Sequence, residues 1–258
     1  VGQIHTLRVR YADTTTGGAT NIAAGDEALS PFKIASSYSG NDADPAKGAA
    51  TATLEGAAGK KLNVQILKQV VEAKSRKLSA RWTFEAAQDA QAQQGIDIEA
   101  EIMAALAQEI TAEIDQEILT SLRALAGSAA AAFDQSAVSG TATFVGDEHA
   151  ALAVLINQQA NLIAQRTRRG AGNYAVVSSE ALTILQSATT SAFARSTEGV
   201  FEAPTNTKFV GTLNNSMRVY VDGYASTGTD VLVGYKGSSE ADAPAFYCPY
   251  IPLMSSGV

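Results

Sequence analysis

Nine carboxylates, Glu85, Asp89, Asp97, Glu99, Glu101, Glu109, Glu113, Asp115 and Glu117, fall in a stretch with no Lys or Arg from Thr83 through Leu122. Side chains of this type can hold cations or act as general acids and bases. A dinuclear metal centre in a helical scaffold would pair them with Glu-x-x-His on facing helices. No histidine occurs in the stretch, and His5 and His149 read as structural. The single cysteine, Cys248, lies between Tyr247 and Pro249 in an apolar run and reads as a small buried hydrophobe rather than a nucleophile. The chain has no G-x-S-x-G, no P-loop, no G-x-G-x-x-G after a strand and no H-E-x-x-H. No spacing therefore assembles a base, nucleophile and metal into a catalytic set, and no catalytic, cofactor-binding or metal-binding residue and no cofactor is expected.

The chemistry left to these residues is ion pairing. Lys60, Lys61, Lys68, Lys74, Arg76, Lys77 and Arg81 precede the acidic stretch and have only Glu72 among them. One reading is two solvated faces. The other is that basic and acidic surfaces meet, within one chain and between chains. On that second reading the contact residues are Lys68, Lys74, Arg76, Lys77 and Arg81 on the basic side and Glu99, Glu101, Glu109, Glu113 and Glu117 on the acidic side. Trp82 and Phe84, at the junction, are expected to include a buried anchor that fixes the direction of the basic arm. A further cluster, Arg166, Arg168 and Arg169, reads first as a solvated, dipole-favoured helix end, with phosphate or carboxylate binding as the alternative.

The elements that must position these groups can be read from caps and periods. Gly95 suits a left-handed stop and Asp97 an N-cap, so the acidic stretch splits into a short helix over residues 85–94 and a long one over residues 98–126, closed by Gly127. The long helix would extend roughly 40 Å at 1.5 Å per residue. Ile98, Ile102, Leu106, Ile110, Ile114, Ile118 and Leu122 recur every fourth residue, so the apolar stripe drifts about 40° per step and calls for different neighbours at the two ends. That is the pattern of a strut between subdomains.

Upstream, residues 2–11 alternate as a strand, and residues 61–83 read as a long extended arm. Between them, residues 12–59 are rich in Thr, Gly, Ala, Ser, Asn and Asp with few large apolar side chains, and are expected to be loops ordered mainly by neighbouring subunits. Downstream, a helix is expected over residues 147–165 with Asp147 as a possible cap and Leu152, Leu155, Ile156, Leu162 and Ile163 inward. A strand over 174–177 and a helix capped by Ser178 or Ser179 follow, then strands over 209–213, 217–222, 231–235 and 245–253. Residues 189–208 read as a surface loop.

The 258 residues are 46% apolar and 17% charged, enough to bury a sizeable core in one elaborate domain or two lobes. No run of eighteen apolar residues occurs, so no transmembrane helix and no membrane partner is expected. A net charge of −7 argues against a general nucleic-acid binder.

These residues carry a resemblance that runs through nearly the whole chain. Gly2-Gln3-Ile4 with Leu7-Arg8 and Tyr11 is similar to the N-terminal strand of the major capsid proteins of T-even-like tailed bacteriophages. Leu78 to Thr83, Glu85, Gly95, Asp97 and the repeated Glu109-Ile110, Glu113-Ile114, Glu117-Ile118 resemble that family's entry to its spine helix. Val176-Val177-Ser178, Gly211-Thr212-Leu213, Val219 to Asp222, Leu232 to Gly237 and Phe246 to Leu253 resemble its later strands. The resemblance implies an α+β chain of the HK97-like capsid fold. Residues 1–24 would be the N-terminal strand and arm, 25–83 the extended E-loop region and basic β-arm, 84–145 the spine helix and peripheral domain, 146–236 the axial domain, and 237–258 the return strand of the peripheral domain. It implies a subunit that joins other copies of itself in hexamers and an icosahedral shell, in a virion assembled in the host cytoplasm. Vertex, portal, decoration or scaffold proteins would be its partners, with packaged DNA only at the inner surface.

Family members carry further residues before the Gly2 motif and after the Pro-Leu motif. The chain begins at Val1 rather than Met, and is expected to be an interior portion of a longer subunit. Within the same fold, an encapsulin-like compartment or a pentameric vertex subunit is the alternative; from another class, a soluble α+β enzyme or binding module.

Overall fold

Alternation over the first residues does give a strand, and its partner is the start of the basic arm. In the computed structural model β1, Gly2–Tyr11, pairs antiparallel with β2, Leu62–Val71, in unbroken register from Gly2 opposite Val71 to Tyr11 opposite Leu62. The structure describes residues 2–16, 21–28, 38–40, 48–56, 58–134, 145–188, 193–195, 207–214, 216–225, 230–240, 242–251 and 254. The chain divides into two compact units, Val1–Lys74 with Gln165–Arg168, and Ser75–Ala164 with Arg169–Val258.

In the first unit the ribbon is tied at its Tyr11 end. Tyr11, Ile22, Ala28 and Tyr38 bury one another, with Val9 packed against them. Thr15 and Ile22 exchange backbone hydrogen bonds of 2.8 and 2.9 Å. The Tyr38 hydroxyl donates to the Lys61 carbonyl, and the Lys61 N–H donates to Asp13 Oδ2 at 2.8 Å. The described parts of residues 12–59 are thus not simple loops. They carry a small core of their own and a short helix, α1, Thr51–Leu54. Its apolar members are far apart in sequence, so no local period announces them. Residues 17–20, 29–37, 41–47 and 57 lie outside the described residues.

The basic arm is shorter than its composition suggests. β2 is paired as far as Val71, opposite Gly2, and residues 72–83 continue without strand pairing.

In the second unit, α2, Phe84–Gln94, begins with the Thr83 hydroxyl accepting from the Ala86 N–H and ends at Gly95 with φ +68°, the left-handed stop. α3, Ile98–Ala126, starts where the Asp97 carboxylate accepts from the Glu99 N–H at 3.1 Å and stops at Gly127. α4, Val145–Thr167, begins before Asp147, which therefore lies inside the helix rather than capping it.

A five-stranded sheet is built from β3, Tyr174–Val177, β4, Phe193–Arg195, β5, Thr207–Leu213, β6, Met217–Asp222, and β7, Val231–Gly234, in the order β4-β5-β6-β3-β7. β3 runs parallel to β6 and antiparallel to β7. α5, Ser179–Ser187, follows β3 directly, with the Ser178 hydroxyl accepting from the Ala181 N–H. Leu152, Ala153, Ile156 and Ala160 of α4 join Ala175, Val177, Ala181, Leu185, Leu213, Met217 and Val219 in the main core.

Two expectations for the later chain are corrected. The region read as a loop over residues 189–208 contains β4, and the rest of it before β5 lies outside the described residues. Residues 245–251 form no strand, and Phe246, Tyr247, Cys248, Tyr250 and Ile251 are exposed. Pro249 interrupts the run and lacks the N–H that a sheet ladder needs.

Candidate assembly surface

The long helix has the composition to stand partly free. Ile98, Ile102, Leu106, Ile110, Ile114, Ile118 and Leu122, the drifting stripe, are all half-buried, and only Leu119 among the residues of α3 is buried. A stripe that rotates about the axis cannot be covered by one flat neighbour, so each turn keeps part of its apolar surface in water.

Two polar ties fix the later turns of α3. Arg76, from the unpaired segment before α2, places its guanidinium against both Glu113 and Glu117, one turn apart. Its planar set of donors matches two carboxylates at that spacing. The arginine side chain is 32% exposed and the glutamates 63% and 62%, so solvent screens the pairing and its stabilisation is about 0–1 kcal/mol. The second tie is buried. Asp222, fully buried at the end of β6, accepts from Gln116 Nε2 at 2.9 Å, from Arg123 at 3.1 Å and from the Tyr224 N–H at 3.1 Å. Its charge is thereby compensated on three sides, which a carboxylate removed from water requires.

Of the residues expected to make charged contacts, the structure brings together Arg76, Glu113 and Glu117. Lys68, Lys74, Lys77, Arg81, Glu99, Glu101 and Glu109 are exposed. Trp82 and Phe84 are not buried inside the chain. They remain 40% and 86% exposed, because the segment before α2 pairs with no strand and Phe84 opens α2 on a side that no described element covers. Asp222 and Gln116 were not singled out in the sequence. Val-Asp-Gly at a strand end reads as an ordinary turn, and only the fold reveals that the carboxylate points inward.

The ribbon presents a second exposed surface. Side chains directly opposite in an antiparallel pair share a face. Val64 opposite Val9 and Ile66 opposite Leu7, with Leu62 in step, form an apolar stretch, and Lys68 opposite His5 separates Val70 from it. Leu7, Leu62, Val64, Ile66 and Val70 are 50–68% exposed.

Among the described residues no three His, Cys, Asp or Glu side chains converge to hold a metal, and no helix is long and apolar enough to cross a membrane. His149 Nδ1 meets the Ser187 hydroxyl at 2.6 Å, but that hydroxyl also lies 3.1 Å from the Ile184 carbonyl, to which it donates. The hydroxyl is thus shared with a carbonyl of its own helix, as is common for Ser near helix ends.

The family model for major capsid protein Gp23 matches residues 1–258, the entire chain. The chain belongs to the major capsid protein Gp23 family. Among curated relatives, the major capsid protein of Vibrio phage KVP40 is 37% identical over 210 residues, covering 74% of this chain and 40% of the relative. That of Enterobacteria phage T4 is 36% identical over 208 residues, with 74% and 40% covered. That of Salmonella phage ViI is 29% identical over 204 residues, with 75% and 45% covered. The chain thus spans about two fifths of the length of the curated relatives it matches. These relatives are named as major capsid proteins and not as enzymes.

Proposed function

We propose that this Gp23-family chain is the shell-forming part of a subunit that assembles with copies of itself into hexamers and an icosahedral shell around phage DNA. The observation that carries this reading is the apolar face of the β1–β2 ribbon, with Leu7, Val64 and Ile66 each about two-thirds exposed. A two-stranded ribbon is marginal in water by itself, and clustered apolar side chains this exposed mark interaction surfaces. Another copy of the chain gives that face a partner.

The same reading assigns an HK97-like fold. Residues 25–83 are its E-loop region and basic arm, α3 within 84–145 its spine helix with peripheral domain, 146–236 its axial domain and 237–258 the return of the peripheral domain. Residues 1–24 are the N-terminal strand and arm. Vertex, portal, decoration and scaffold proteins are then the natural partners, and DNA meets the shell only at its inner surface, consistent with the net charge of −7. Electron microscopy of the purified protein with sedimentation velocity tests the reading. Shells, sheets or capsomers are expected, and a protein that stays monomeric or forms one small discrete oligomer under all conditions would overturn it.

A further inference from the structure

We propose that the segment leading into α2 is a docking strip for the acidic amino-terminal half of α3 in a second copy of the chain, with Lys77 and Arg81 supplying charge and Trp82 and Phe84 the apolar centre. The proposal rests on the self-assembly reading above and names the surfaces that meet. Arg76 displays the chemistry within one chain: a cation from this segment spans two glutamates one turn apart on α3. That contact occupies Glu113 and Glu117. Lys77 and Arg81 make no ion pair among the described residues, nor do Glu99, Glu101 and Glu109 earlier on the helix, and all five are exposed.

The apolar groups match in the same way. Phe84 is 86% and Trp82 40% exposed, next to Arg81 in sequence. Exposed Arg and aromatic side chains side by side are what the centres of protein interfaces use. On the other side, Ile98, Ile102 and Leu106 lie half-buried among the free carboxylates. A second copy is favoured over an unrelated partner because one chain carries both surfaces, with opposite charge. A strip that meets a different patch on its neighbour is a heterologous contact, and such contacts propagate into rings or open arrays rather than stopping at pairs. Each exposed ion pair contributes a factor of about five or less, so binding is reversible and falls with salt, the Debye length being about 8 Å at physiological ionic strength.

The test uses two reversed variants of the protein, Lys77→Glu/Arg81→Glu and Glu99→Lys/Glu101→Lys/Glu109→Lys. Each should melt like the unaltered protein and need about tenfold or more higher concentration to form particles at low salt, read by sedimentation. Lys77→Gln/Arg81→Gln, which removes attraction without adding repulsion, should shift assembly in the same direction by less. Mixing the two reversed variants should restore particles, since the acidic strip of one then faces the basic helix of the other. Unchanged assembly of both variants, or failure of the mixture to recover, overturns this docking mode and leaves the shell reading standing. Failure of the unaltered protein to assemble at all removes the shell reading and this inference with it.

Discussion

Arg123 of α3 donates to the fully buried carboxylate of Asp222 at the end of β6, at 3.1 Å, and so fastens the carboxyl-terminal part of the long helix to the five-stranded sheet. The two ends of this pair differ in environment. The Arg123 side chain is 34% exposed and can rehydrate, whereas Asp222 cannot.

Removal of Arg123 is therefore expected to cost more than neutralising Asp222. Arg123→Met leaves a buried carboxylate held only by Gln116 and the Tyr224 N–H, at about 3–5 kcal/mol. Asp222→Asn keeps a neutral acceptor of the same shape and should cost about 1–3 kcal/mol. Urea denaturation of the two variants measures the order, and the reverse ranking would show that the helix is held elsewhere.

Trp82→Ala and Phe84→Ala should each change the stability of the unassembled subunit by less than about 0.5 kcal/mol, the range for exposed substitutions. Losses of about 3–5 kcal/mol, the usual cost of truncating a buried aromatic, would mean that the two side chains are packed within the chain after all. Denaturant midpoints decide.

For the ribbon, Leu7→Ser combined with Ile66→Ser removes a directly opposed pair from the exposed apolar face. The melting temperature of dilute subunit should hold, and particle yield should fall several-fold, because each fully covered side chain of this size is worth about 1.5–3 kcal/mol once water is excluded. Equal loss of stability and of assembly would place these residues in an internal core.

Tyr174, on β3, has its pKa raised above the ordinary value of 10.0 by burial, which disfavours the tyrosinate. The folded state then holds this proton more tightly than the unfolded chain does. Its contribution to stability is present in full below the unfolded pKa and is lost as pH rises through the folded one. Melting followed upward from about pH 9 should show an alkaline loss that Tyr174→Phe diminishes, with tyrosinate absorbance as the direct readout. The ring also lies where a Cβ on Gly234 of the adjacent strand would stand, so Gly234→Ala should cost about 1–3 kcal/mol by forcing the ring aside. A neutral Gly234→Ala would show that Tyr174 moves freely.

Much of the local structure was legible because its causes are local. Gly95 and Asp97 mark the break between α2 and α3 through a left-handed stop and a side-chain cap, and the structure places both there. The alternation of residues 2–11 and the spacing of four along α3 likewise reflect backbone geometry that neighbouring residues decide. The family signature was legible for the same reason, being carried by short runs of residues in order, and its match extends over the chain.

What tertiary structure alone decided are the properties that depend on a partner far away in sequence. β2 is paired with β1 as far as Val71, whereas residues 72–83 are unpaired. Residues 245–251, equally strand-like, find no ladder and stay exposed. Burial of Asp222 needed Gln116 and Arg123 to arrive from more than ninety residues away in the chain. Trp82 and Phe84 show the converse. Their size and apolarity are properties of sequence, but covering them requires a surface, and the described residues of this chain do not supply one.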